Sequence, residues 1–181
     1  GTQEVNRIAV GRKGTPALLG FDVALGIRAA DAVSERPYAL QMADEVLRRL
    51  PAWYNPKKDK RFSLISAGAL AVALEKLDAG HYAKAIDRFR RDLARHQAEN
   101  GSWLQNETQT SAYAVMALID SGLNKERQAA ESGIHWLKST MLKQGSFASY
   151  NDYMPEPFVG QVISEVNAEA LSALAKACAL K

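Results

Sequence analysis

Two kinds of helical segment alternate along this chain, and that alternation constrains the fold more than any other feature. Residues 16–30, 64–77 (LISAGALAVALEKL), 111–119 (SAYAVMALI) and 167–180 (NAEALSALAKACAL) are apolar nearly all round. A helix of that kind must be buried on every side. The first of them begins with Thr15 placed as N-cap and Pro16 at the first helical position. Between them lie segments with a single apolar stripe. In 37–50 the stripe is Ala39, Met42, Val46, Leu47 and Leu50; in 82–97 it is Tyr82, Ile86, Phe89 and Leu93; in 126–142 it is Ala130, Ile134, Leu137 and Met141. Such helices cover a core on one side and meet water on the other. No stretch keeps a period-2 alternation. The order predicts an all-α fold of seven helices arranged as repeated hairpins. Ser66 and Ser111 open matching stretches 45 residues apart, a repeat-sized period. Ala, Gly and Ser in the apolar helices allow close approach, which favours two concentric layers, apolar helices inside and amphipathic ones outside.

The hairpin corners carry a second repeated feature. Gln97-Ala98-Glu99-Asn100-Gly101-Ser102-Trp103 follows the helix 82–97. Gly101 is placed to supply the left-handed residue that stops this helix. Trp103 is expected to fold back under the helix end, with the Gln97 amide on exposed carbonyls. The layout recurs: Trp136 lies upstream of Gly145-Ser146-Phe147, and Met141 stands where Gln97 stands. Pro51-Ala52-Trp53 is a worn third copy. A motif repeated once per hairpin reads as scaffold, because a catalytic site occurs once.

Gln97 to Trp103 fits the Q-x3-G-x-W repeat of squalene–hopene cyclases and related triterpene cyclases. The following TQTSAYAVMAL resembles the inner-helix start in those cyclases and in protein prenyltransferase β subunits. The resemblance covers residues 64–147 and implies a partial α/α toroid of the terpenoid cyclase/protein prenyltransferase superfamily. It does not carry the family's chemistry across. The Asp-rich acid motif of the protonating cyclases is absent, since Asp120 and Asp152 stand alone. The prenyltransferase zinc set of Asp, Cys and His is absent as well: the single cysteine, Cys178, lies near the end of the last helix. His81, His96 and His135 lack metal-ligand spacing. No metal and no cofactor are expected.

Function is therefore sought at the loops entering the inner helices and their first turns. There free backbone N–H groups and the helix dipole suit anions. Residues 104–113 offer Glu107, Gln109 and Tyr113, with Glu107 and Thr108 also suited to capping. Residues 148–160 offer Asn151, Asp152, Tyr153 and Phe158, and residues 161–167 offer Glu165. The first expectation is a non-catalytic ligand- or protein-binding module taking a carbohydrate or a peptide. The alternative is a glycan lyase or hydrolase, using Glu107, Asp152 and Glu165 with a tyrosine as acid and base.

Composition excludes some partners. A net charge of +3 with cations and acids interspersed does not suggest nucleic acid. Lys57, Lys58, Lys60 and Arg61 form the only basic run, read as a solvated loop. No apolar run reaches the ~20 residues of a membrane span. Cys178 is expected to be a small buried hydrophobe. The Gly1-Thr2 start suggests processing of a secreted or periplasmic protein, and the end helices of a partial ring suggest a dimer or contact with further domains.

Overall fold

A computed structural model describes residues 18–149 and 160–179. Those residues form eight helices and no strand. The chain divides after Asp92 into two compact units. The first contains α1 (Leu18–Ala32), α2 (Arg36–Arg48), α3 (Leu50–Trp53), α4 (Lys60–Asp78) and most of α5 (Ala83–Arg95). The second contains α6 (Thr108–Leu118), α7 (Asn124–Thr140) and α8 (Ser164–Ala179).

Of the helices expected to be buried all round, α4 and α6 come closest, whereas α1 exposes Asp22, Leu25, Arg28 and Ala29 on one side because no described neighbour covers that face within its unit. In the first unit α4 packs against α1, and α2 packs against both. Twelve of the nineteen residues of α4 are buried. Arg36, in the first turn of α2, donates to the Leu77 carbonyl and so satisfies a group left open at the end of α4. On α5 the expected stripe Tyr82, Ile86, Phe89 and Leu93 is buried. Its Arg90 reaches Glu75 of α4 at 2.5 Å, and the Tyr82 hydroxyl donates to Asp44 of α2 at 2.9 Å. In the second unit α6 packs on α7 and α8, and all eleven of its residues are buried.

Several expectations need correction. The expected 37–50 helix is two helices, broken at Arg49 so that Trp53 turns inward. Helix α4 starts earlier than expected: Asp59 caps it by accepting from the Phe62 amide. Lys60 and Arg61 therefore lie in its first turn and not in a loop. On α7 the buried face is Glu126, Ala129, Ala130, Gly133, Trp136 and Leu137. Ile134 is half-buried and Met141 is exposed beyond the helix end. Gly133 is the reason, because a Cβ there would lie 2.6 Å from Val115 and 2.9 Å from Trp103. The bare glycine turns that face of α7 inward. Helix α8, read as buried all round, buries only Val166, Ala170 and Ala173 among its described residues. Leu171 and Cys178 on it are exposed. The start of the first helix, with Thr15 and Pro16, lies outside the described residues.

The corners repeat in geometry. At each of three, a backbone amide earlier in the chain than a helix donates to a side chain in that helix's first turn: Asn55 N to Ser63 Oγ (3.2 Å), Trp103 N to Ser111 Oγ (3.0 Å), and Phe147 N to Asn167 Oδ1 (2.9 Å). In each case the helix residue's own amide donates to the carbonyl four residues back, at Asp59, Glu107 and Ile163. The structural register thus pairs Ser63 with Ser111, 48 residues apart, and not Ser66 with Ser111. The turns before two of these corners also match. Ala98 N donates to Ser102 O and Gly101 N to Ala98 O, while Leu142 N donates to Ser146 O and Gly145 N to Leu142 O. Gly101 and Gly145 have φ of 89° and 80°. Gly101 serves this turn and does not stop α5, which ends at Arg95.

The tryptophans close the corners. Trp103 is wholly buried, and its indole N–H donates to the Leu93 carbonyl at 2.9 Å. Trp53 does the same to Val46 at 3.3 Å. The Gln97 amide donates to Gly101 O (2.9 Å) and Ala129 O (2.7 Å), tying the turn to α7.

Two stability predictions follow from the corners. Trp103→Ala should cost about 3–5 kcal/mol in chemical denaturation, and a loss below ~1 kcal/mol would deny the indole its place in the core. Gly145→Ala should cost about 1 kcal/mol for backbone strain alone, because nothing lies near its Cβ position. Gly101→Ala should cost clearly more, because its Cβ would strike the Ser132 carbonyl of α7. Equal losses at the two glycines would contradict this account.

Candidate functional site

The entry to α6 is built on an unusual backbone. Leu104, Gln105 and Asn106 have φ of 50°, 56° and 75°, three consecutive left-handed residues without a glycine. Side chains hold this turn in place. Asn100 Nδ2 donates to Asn106 Oδ1 (2.6 Å), Ser102 Oγ donates to Asn100 Oδ1 (2.7 Å), and Asn106 N donates to Ser102 Oγ (3.3 Å). The turn delivers Glu107 to the N-cap of α6. There its carboxylate accepts from the amides of Gln109 (3.1 Å) and Thr110 (2.6 Å). The Thr108 hydroxyl donates to the Ala148 carbonyl at 2.9 Å. The anion site expected at this helix start is therefore filled by the chain's own carboxylate.

Beyond the cap, polar groups meet between α6 and α8. Gln109 and Tyr113 are four apart on α6, and Glu165 and Glu169 are four apart on α8, so each pair shares a face. Each pair also flanks a corner residue by two positions, Ser111 in one helix and Asn167 in the other. The four residues thus hold equivalent places relative to the two corner hydrogen bonds. The Gln109 amide lies 3.5 Å from Glu165 Oε1, and both Gln109 and the Tyr113 hydroxyl donate to the Glu169 carboxyl. Glu107 is near enough to act on Glu169 through its charge, as does Glu165.

Glu169 is the group most affected. Burial pushes its carboxyl up to about 7, the Tyr113 and Gln109 hydrogen bonds oppose that rise, and the charges of Glu165 and Glu107 add to it. Its Oε2 is buried and has no hydrogen-bond partner among the described residues. Among those residues no group of three His, Cys, Asp or Glu side chains is gathered closely enough to hold a metal ion.

Of the residues singled out in the sequence, Glu107, Gln109, Tyr113 and Glu165 come together here. Asn151, Asp152, Tyr153 and Phe158 lie outside the described residues. Gln97, Gly101, Trp103, Gly145 and Phe147 build corners, and Trp136 is buried on α7. Glu169 was missed, although it repeats the position of Tyr113 relative to the corner residue. Within α8 it resembled one more acid on a helix expected to be wrapped in apolar neighbours. No helix of the described residues is long and apolar enough to cross a membrane. Comparison of the chain with family models, with curated proteins and with solved structures finds no match.

The raised Glu169 carboxyl has a consequence for stability. Between its ordinary value of 4.5 and about 7 the folded protein holds a proton that the unfolded chain releases. Folding is then favoured most below that window and loses stability as pH rises through it. The melting temperature should fall between pH 5 and 8, and Glu169→Gln should flatten this part of the profile and raise the value at pH 8. A variant with the wild-type profile would remove Glu169 as its source.

Proposed function

We propose that this chain is a helical-hairpin binding module whose site lies at the N-terminal ends of α6 and α8 and takes an amine- or guanidinium-bearing ligand such as a basic peptide. The observation that carries this reading is the convergence of Gln109, Tyr113, Glu165 and Glu169, with the Glu107 charge close by. The charges of Glu165 and Glu107 oppose the ionisation of Glu169, and a cation among them relieves that opposition. An organic cation is favoured over a metal ion, since among the described residues no group of three His, Cys, Asp or Glu side chains could hold a metal. An acidic sugar would meet like charge. Architecturally, we place the module with the α/α toroids of terpenoid cyclases and protein prenyltransferases. What supports this is the recurrence of one corner geometry before three helices.

One observation favours a second reading, in which the site cleaves a neutral glycan. A carboxyl raised to about 7 beside a tyrosine hydroxyl is the protonation state that a general acid needs near neutral pH.

Calorimetric titration with Lys- and Arg-containing peptides, neutral oligosaccharides and uronates tests both. A basic peptide should bind and raise the melting temperature. Glu165→Gln and Glu169→Gln should each weaken it by about tenfold, the loss of one charge-assisted hydrogen bond. Its affinity should rise from pH 5 to 8 as Glu169 gives up its proton. Silence toward every basic peptide would end the cation reading. Turnover of a neutral oligosaccharide that Glu169→Gln abolishes would establish the second.

A further inference from the structure

In the first unit, cations collect on the outward side of α5 and on the turn before α4. Lys84, Arg88 and Arg91 are exposed on one stripe of α5, spaced by four and three residues, and Asp87 is the acid beside them. The stripe runs about 10 Å at 1.5 Å per residue. The Arg88 guanidinium lies over the Tyr54 ring, 5.1 Å from its centre. The Tyr54 hydroxyl donates to Asp92 at 2.9 Å, and its ring meets Phe89 edge-on. Tyr54 is therefore fixed against α5, and the chain leaving it stays nearby.

That chain is the basic run. Asn55 Oδ1 accepts from the amides of both Lys57 and Lys58, and Asn55 O accepts from those of Lys58 and Asp59. A turn closed this tightly keeps Lys57 and Lys58 within about 10 Å of Tyr54. Lys57, Lys58 and Lys60 are all exposed. Asp59, the acid within the run, turns inward to cap α4. Its exposed neighbours Lys57 and Lys58, with Lys60 in the first turn of α4, follow Tyr54 closely in the chain, and Arg88 stands over the Tyr54 ring.

We propose that this face, Lys57, Lys58 and Lys60 with Lys84, Arg88 and Arg91, binds a linear acidic polysaccharide through its carboxylate or sulfate groups. The surroundings decide among polyanions. Membrane association needs apolar side chains flanking the cations. Among the described residues the exposed large hydrophobic ones, Leu25, Val33, Leu123, Met141, Leu142, Val162 and Leu171, all lie on other segments. A single-stranded nucleic acid needs aromatic faces for its bases, and the one aromatic ring under the stripe, Tyr54, is buried beneath Arg88. A polysaccharide needs only regularly spaced cations on an accessible face.

The experiment measures binding of the full chain to a polygalacturonate oligomer and a heparin oligosaccharide, at low and at physiological salt. A DNA duplex and phosphatidylserine–phosphatidylcholine vesicles are run beside them. At least one acidic oligosaccharide should bind, more weakly as salt rises. The triple variant Lys57→Ala, Lys58→Ala, Arg91→Ala should weaken it by about tenfold and make the salt dependence shallower. A control triple, Lys125→Ala, Lys138→Ala, Lys143→Ala, removes the same charge from exposed positions of the second unit and should change affinity by less than about twofold. If the first triple does not keep the wild-type melting curve, the charge reversal Arg91→Glu replaces it with the same expectation of loss. Failure of both oligosaccharides to bind at low salt overturns the proposal. So does an equal loss in the control, or tighter binding of DNA or vesicles.

Discussion

Helices α4, α6 and α8 each hold a segment that precedes them in the chain by one hydrogen bond, from a backbone amide to a side chain of the helix's first turn. Ser63, Ser111 and Asn167 supply the acceptors. The bond is needed because the corner is dry. Trp103, Ser111 and Ser63 are wholly buried, and an amide left without a partner there costs about 1–3 kcal/mol. A polar side chain inside an otherwise apolar helix is the local answer. Once the corner amide is fixed, the aromatic residue near it has one place to go. The indoles of Trp53 and Trp103 then satisfy carbonyls of the preceding helices, at Val46 and Leu93. In the second unit the turn before the corner can close on α7 only because Gly101 has no side chain.

The same bond sets the site. Holding Ser111 to the corner fixes the rotation of α6 about its axis. Gln109 and Tyr113, two residues to either side, then share the opposite face. Asn167 does the same for Glu165 and Glu169 on α8. The candidate site is thus formed by the residues two before and two after the corner residue in α6 and in α8, which pack together. In α4 those places are held by Arg61 and Ile65, which have no such chemistry. The scaffold is shared among the corners, and the polar set belongs to α6 and α8.

That division explains what the sequence discloses and what it withholds. The all-helical class, the burial of α4 and α6, the burial of Trp103 and the cap at Glu107 follow from local patterns, because local physics determines them. The 3.6-residue period marks Tyr82, Ile86, Phe89 and Leu93 directly. The failures are tertiary. Nothing near Ile134 signals that Gly133, through its closeness to Trp103 and Val115, would decide which face of α7 turns inward. The composition of α8 predicts burial on every side, yet Leu171 and Cys178 are exposed, because burial depends on neighbours that composition does not reveal. Serine spacing gave a 45-residue register where the corner bonds set 48, since Ser63 and Ser66 are interchangeable in a pattern but not in a hydrogen bond. Glu169 escaped notice because its meaning comes from Tyr113 and Gln109, 56 and 60 residues away in sequence.

Two buried acids with a partnerless oxygen among the described residues show why the α6–α8 cluster is the more informative. Glu126 has an unpartnered Oε1 and is 3% exposed, but the Ser121 hydroxyl donates to its other oxygen, and it stands in the first turn of α7. There the helix dipole favours its negative charge. Glu169 is in the opposite condition. Burial and two neighbouring carboxylates work against its ionisation, and two hydrogen bonds only partly compensate. A glutamine of nearly the same shape would satisfy the packing without that conflict. An acid held against its own charge is the feature on which the proposed cation site rests.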